Sequence, residues 1–185
     1  RVDPKHAWVA MDVGDDYAVQ ADVRIDTWLD ENDFSRAGVS LRIEPDVRDG
    51  VRDDGLNILF HNALGNVELL NDMQSWGPAK ESFDWTTGTW YTMEVAIADG
   101  IMTGSVNEQG GTGGLEMTPW DIPASGKLTR EGGYAGLAGN SEALGITAFD
   151  NFAVMVGGQT VFTDSFDEFH SPTATSSYEH YELYK

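Results

Sequence analysis

Apolar residues in this chain recur at every second position, and that period is what most narrows the folds open to it. In residues 17–26, YAVQADVRID, Tyr17, Val19, Ala21, Val23 and Ile25 fall on one side of an extended chain. Gln20, Asp22, Arg24 and Asp26 fall on the other. A 3.6-residue period would scatter both sets around a cylinder, so the segment reads as a strand with one face in a core and one toward water. Ala37, Val39, Leu41 and Ile43 repeat the pattern with Ser40 and Arg42 outward, as do Tyr91, Met93, Val95 and Ile97. Leu56, Ile58 and Phe60 alternate with Asn57, Leu59 and His61, which gives both faces some apolar character.

Turn chemistry supports the same reading. Leu64-Gly65-Asn66 leads into Val67 and Leu69, and Asp99-Gly100 is a strong two-residue hairpin signal before Ile101. No window carries an i, i+3, i+4 apolar stripe bounded by helix caps, so the chain is expected to be nearly all β. Residues 132–156, GGYAGLAGNSEALGITAFDNFAVMV, join a glycine-spaced strand to a strand containing Asp150 and Asn151, as at the end of a β-sandwich. Gly132, Gly133, Gly136 and Gly139 suit bends and close backbone approach. Phe152, Val154 and Val156 point one way; a strand continued straight back would put Asp150 on their face, where it needs a hydrogen-bond partner and would tie down a loop. The fold class that follows is a two-sheet antiparallel β-sandwich.

A chain of 185 residues suits one domain with tails and is long enough for a substantial core. The 31 acidic residues against 11 basic ones, for a net charge of −20, make nucleic acid and anionic membrane poor partners. Such a surface suits high salt, a cation-rich exterior, or solubility at high concentration. No apolar run reaches the roughly 20 residues of a membrane-spanning helix. The start at Arg1 without a signal-like segment reads as a mature product or an excised piece. Cysteine is absent, which excludes disulfides and thiolate metal sites, and no Asn-x-Ser/Thr acceptor occurs.

Two regions read as loop-rich: residues 71–89, with Trp76 and Trp85, and residues 108–131, with Trp120 among several glycines. Long loops in a sandwich either carry function or wrap an open sheet edge. Residues 1–158 form the expected sandwich, and residues 159–185 read as an extension, linker or strand-donating arm.

The order of YAVQADVRI, RAGVSLRI, a polar hairpin, TWYTMEVAI with ADG, GYAGLAG and AFDNFAV resembles the concanavalin A-like lectin/glucanase superfamily, in particular bacterial laminin-G-like jelly rolls. The resemblance spans roughly residues 8–156. It implies a jelly-roll sandwich from a superfamily of sugar-binding modules, adhesion domains, glycoside hydrolases and non-catalytic modules of surface proteins. Such domains commonly open on an Asp-Asp-Phe-like strand, whereas here the similar string TVFTDSFDEF lies at residues 160–169. That segment could begin a second repeat, fold back in permuted order, or be donated to another subunit, which would build a filament. Phe162, Phe166, Phe169, Tyr178, Tyr181 and Tyr184 would then form the joint.

Hydrolases of this superfamily carry Glu-x-Asp-x-x-Glu on one strand; the string is missing here, and Glu68 and Asp72 come nearest to a carboxylate pair. The expectation is therefore a non-enzymatic extracellular or cell-surface module that binds carbohydrate or adheres. A filament subunit is the alternative, and a divergent glycoside hydrolase is third. Trp76, Trp85 and Trp120 are the candidate stacking surfaces, with Asn62, Asn71, Asp72 and Gln74 as hydrogen-bonding partners from neighbouring hairpin ends. Burial of each tryptophan against the core is the competing reading, and Trp8 and Trp90, at strand starts, read as core. Asp46, Asp49, Asp53 and Asp54 gather hard oxygen ligands in one loop, as calcium requires, although Arg48 and Arg52 could neutralise them. Asp150 and Asn151 with loop carbonyls are a second possible calcium site.

Overall fold

A computed structural model describes residues 5–9, 13–27, 36–44, 54–61, 65–71, 74–122, 134–140, 146–166 and 181–183. The strands, in chain order, are β1 (Lys5–Val9), β2 (Ala18–Thr27), β3 (Arg36–Glu44), β4 (Asp54–His61), β5 (Asn66–Asn71), β6 (Gln74–Ser82) and β7 (Trp90–Ala98). They continue with β8 (Ile101–Glu108), β9 (Gly114–Glu116), β10 (Trp120–Asp121), β11 (Tyr134–Asn140), β12 (Ile146–Val156), β13 (Gln159–Asp164) and β14 (Tyr181–Leu183). The first sheet runs β14-β1-β11-β3-β4-β5-β6 and the second β10-β8-β7-β2-β12-β13, with β9 also paired to β8. The pairings are antiparallel throughout.

The alternating apolar sets meet between the sheets. Val19, Ala21, Val23, Ile25, Met93 and Val95 of the second sheet pack against Val39, Leu41, Leu56, Ile58, Phe60 and Leu69 of the first. Asp99 and Gly100, both at positive φ (51° and 77°), form the turn of the β7-β8 hairpin that their sequence indicated. The sheets approach so closely at Gly104 that a β-carbon there would lie 2.8 Å from Ile58 Cδ1 and 3.2 Å from Leu69 Cδ2.

Two residues in the left-handed region reset the alternation. Arg42 (φ 50°) is the extra residue of a bulge in β3 against both β4 and β11. The Tyr17 hydroxyl accepts from its backbone N–H at 2.5 Å, and its Nη2 donates to Asp15 O at 3.0 Å. Ile43, expected on the face of Leu41, is fully buried but stands outside the inter-sheet core, in reach of Gly55. Asn151 (φ 49°) does the same in β12, where Asn151 and Phe152 together oppose Ala21. Phe152 and Val154 are therefore core residues, while Asp150 moves to the opposite face across from Asp22. This corrects the expectation that Asp150 shares the face of Phe152. Asparagine tolerates positive φ better than most residues, which suits it to the bulge.

Three further segments differ from their sequence reading. Residues 74–82, expected in a loop, form edge strand β6; Gly77, Pro78, Lys80 and Glu81 hid it because all have low strand propensity, and proline is tolerated at an edge. Residues 114–122 close the sandwich edge instead of standing free, with Met117, Trp120 and Ile122 in the core and the Thr118 N–H donating to Glu81 Oε1 at 2.6 Å. The boundary drawn at residue 158 falls in the Gly157-Gly158 turn, and β13 folds back antiparallel onto β12 of its own chain. Val161 is the bulged residue of that edge strand.

Candidate functional site

The outward face of each sheet is a possible ligand surface, and burial separates the two. On the first sheet, Gly38, Ser40, Asn57, Leu59, Asn66, Glu68 and Ala138 are all buried, although their strand neighbours already fill the inter-sheet core. Several polar members of this face pair with one another or with backbone. The Ser40 hydroxyl donates to Asn57 Oδ1, and Asn57 Nδ2 donates to Gly55 O at 3.1 Å. Glu68, 1% exposed, pairs with Lys80 Nζ at 2.9 Å. Among the described residues, the polar side chains of this face are buried and serve to fix the register of β3, β4, β5 and β6.

The outward face of the second sheet is open. Alternation along β7 turns Tyr91, Met93, Val95 and Ile97 inward, so Trp90, Thr92, Glu94 and Ala96 stand outward, each half-buried. Register sets Trp90 opposite Arg24 and Thr92 between Asp22 and Asn107. The Arg24 guanidinium lies 4.6 Å from the Trp90 ring centroid and forms a fork onto Asp26, Nε to Oδ1 at 2.6 Å and Nη2 to Oδ2 at 3.1 Å. The hydrogen bond to Asp26 raises the Arg24 pKa above its ordinary value, so the cation is permanent and already engaged.

Beside this pair runs a directional network. Gln109 Nε2 donates to Thr92 Oγ1 at 3.3 Å, and Thr92 Oγ1 donates to Asp22 Oδ1 at 2.7 Å. Asn151 Nδ2 donates to Asp22 Oδ2 at 2.7 Å. The Asn151 backbone N–H donates to Asp150 Oδ1 at 2.7 Å, which eases the apposition of Asp150 and Asp22. Asp22, 6% exposed, ties its own strand β2 to β7 and β12. Because a carboxylate only accepts, it draws one N–H of Asn151 and the O–H of Thr92 toward it, and the carboxamides of Asn151 and Gln109 each keep an oxygen and a second N–H.

Trp85 and Trp120 stand at opposite ends of the sandwich. The paired backbones of His61 and Asn66 and those of Asn71 and Gln74 are separated by the six residues of β5, roughly 20 Å of strand. Trp85 sits at the His61 end, half-buried against the core with its ring 5.5 Å from Phe60. Trp120 lies at the other end, across from Met102, and at 7% exposure its ring fills the sandwich edge and is withdrawn from stacking on a ligand. Trp76, Asn71 and Gln74 have their backbones in β6 and β5, and Asn62 and Asp72 lie outside the described residues. Trp90, read as core from its place at a strand start, faces outward; the alternation of β7 itself was the signal that places it.

The candidate calcium loop falls outside the described residues except Asp54, whose backbone opens β4 opposite Glu44. Among the described residues, no group of three or more His, Asp or Glu side chains stands together as a metal site. Of the residues expected to form an assembly joint, Phe162 packs edge-on to Phe152 with centroids 6.1 Å apart, inside its own chain. Phe166 is 37% exposed, and the backbone of Tyr181 pairs with Val9. Phe169, Tyr178 and Tyr184 lie outside the described residues.

No protein-family model matches the sequence, and no curated protein matches it significantly. Solved structures do share its fold. A carbohydrate-binding module, CBM66 from Bacillus subtilis, superposes with a TM-score of 0.57 at 10% identity, covering 84% of each chain. A scytalido-glutamic peptidase bound to a transition-state analogue inhibitor gives 0.54 at 13% identity, over 89% of this chain and 87% of that one. A functionally unknown protein from Saccharomyces cerevisiae gives 0.51 at 15%, over 78% and 71%. A binding module and a peptidase on one scaffold make the likeness informative about architecture alone, and by architecture the chain is a two-sheet antiparallel β-sandwich of jelly-roll type.

Proposed function

We propose that this protein is a non-catalytic module that binds carbohydrate across the open face of its second sheet. Trp90 is the stacking surface, and Thr92, Gln109 and Asn151 bond the sugar hydroxyls. The observation that carries the reading is the half-exposed Trp90 beside a pre-organised polar network, on the one sheet face that is open among the described residues. Indole faces stack on the apolar sides of sugar rings, and fixed polar groups beside them supply orientation without an ordering cost at binding. An extracellular or cell-surface setting accompanies the reading, because polysaccharides are found there.

A glycan array probed with the wild-type protein and with Trp90→Ala tests it. Selective binding that the variant loses is the expected result; binding unchanged in the variant would sink the site. Incubation with the bound oligosaccharide should release no new reducing ends, and release would move the reading to a hydrolase. Calcium held by Asp46, Asp49, Asp53 and Asp54 is a separate proposal, checked by whether a chelator lowers the melting temperature in dilute salt.

The structural-subunit reading retains one observation in its favour. Val161, at 49% exposure, and Phe166 are the exposed large hydrophobics of the described residues, and both lie at the β13 edge. The bulge at Val161 interrupts that edge, which is how sheets discourage further pairing. Light scattering at high concentration should therefore find monomers, and concentration-dependent filaments would favour the subunit reading.

A further inference from the structure

Charge is distributed unequally over the two sheets. Arg24 is the single Lys or Arg in β2, β7, β8, β9, β10, β12 and β13, whereas β1, β3 and β6 carry Lys5, Arg36, Arg42 and Lys80. On the open face Arg24 shares its surroundings with Asp22, Asp26 and Asp150, and with Glu94 and Glu116, which both stand across from Ser105. Its charge is committed to Asp26 and its plane to Trp90, so it offers little to an incoming anion.

The hydrogen-bond network beside it is partly committed. One N–H of Gln109, one N–H of Asn151 and the O–H of Thr92 are spent within the network, which leaves each carboxamide its oxygen and one N–H. A ligand meeting this face finds neutral hydrogen-bonding groups in a negative field. Neutral sugars can donate hydroxyls to it, ammonium-bearing sugars gain Coulomb attraction as well, and uronates and sulfated sugars are repelled.

We propose that the open face selects amino sugars carrying free ammonium groups over their neutral N-acetylated counterparts and against anionic glycans. The proposal rests on the carbohydrate-binding reading of the same face. The ammonium groups of such an oligomer would lie in the field of the Asp150 and Glu94 carboxylates, while a ring stacks on the Trp90 indole.

The test measures affinity for three probes at low and high salt: glucosamine oligomers, N-acetylglucosamine oligomers of equal length, and galacturonate oligomers. Wild type should prefer glucosamine oligomers over the N-acetylated ones by about tenfold at low salt, with the preference shrinking as salt screens the field. It should not bind galacturonate. A Glu94→Gln/Glu116→Gln double variant should lose most of the preference for glucosamine oligomers. Trp90→Ala should lose both ligands.

Equal affinity for charged and neutral oligomers, or binding of galacturonate, would overturn the selectivity and leave carbohydrate binding standing. Retention of glucosamine oligomers by Trp90→Ala would show adsorption to an acidic surface in general and overturn it as well. If no oligosaccharide of any class binds wild type, the selectivity and the reading beneath it both fall.

Discussion

The two outward faces differ in the use of their polar groups. Ser40, Asn57 and Glu68 on the first sheet are enclosed, Ser40 pairing with Asn57 across β3 and β4 and Glu68 with the more exposed Lys80 across β5 and β6. Thr92, Gln109, Asn151 and Asp22 on the second are also paired, but in a row with solvent on one side and with acceptor oxygens to spare. Buried polar pairs make register a matter of all or nothing, since a slip by one residue would leave charges unpaired. Polar groups at the edge of water cost little and remain available to a partner. Substitutions on the first face should therefore show up in stability and those on the second in binding.

The largest effect is expected at Gly38. A β-carbon there would lie 2.0 Å from the Ile58 carbonyl oxygen and 3.0 Å from Leu59 Cα, so backbone would have to move in the middle of the sheet. Gly38→Ala should cost at least about 3 kcal/mol in chemical denaturation. A near-neutral result would mean that the first face is looser than its burial implies. Next, Lys80→Met should cost about 1–3 kcal/mol, because it leaves the Glu68 carboxylate enclosed without its cation; the half-exposed Lys80 keeps this below the cost of a fully buried pair. A Glu68→Gln/Lys80→Met double variant should recover part of that loss, and additive costs would show that the two side chains do not act together.

On the second face, Asn151→Ala should cost about 1–2 kcal/mol, by losing the bond to Asp22 and placing alanine at positive φ. Asn151→Gly should cost less, because glycine relieves the backbone while forfeiting only the hydrogen bond. A reversed order would mean that the bulge conformation is not held by this residue. The smallest stability effect is expected at Trp90→Ala, within about 1 kcal/mol, since the ring lies outside the core. Glycan binding should nevertheless be lost. If the melting temperature collapsed instead, Trp90 would be a structural residue and the contrast between the faces would fail.

How much of this could be read from the chain depends on the range of the interactions involved. The alternation in β2, β4 and β7 and the Asp99-Gly100 turn are local, and the sequence carried them directly. The bulges at Arg42 and Asn151 are single-residue events that invert a strand's faces, and without them Ile43 and Asp150 fall on the wrong side. β6 escaped notice because an edge strand tolerates Gly77 and Pro78, which a central strand would not. The open face of the second sheet was legible in one respect only: Trp90 shares its parity with Thr92 and Glu94, not with Tyr91. Its partners come from positions 70 and 129 residues apart in sequence, Thr92 to Asp22 and Asn151 to Asp22, which no local pattern can join.

The most direct test is amide and side-chain chemical-shift mapping of the full chain titrated with the oligosaccharide that binds best. The shifts should concentrate at the Trp90 indole, the Thr92 and Asn107 amides and the Asn151 and Gln109 carboxamides, while Ser40, Asn57 and Lys80 stay still. Shifts centred on Ser40, Asn57 and Lys80, or on the Asn71 to Gln74 turn, would contradict the assignment of recognition to the open face of the second sheet.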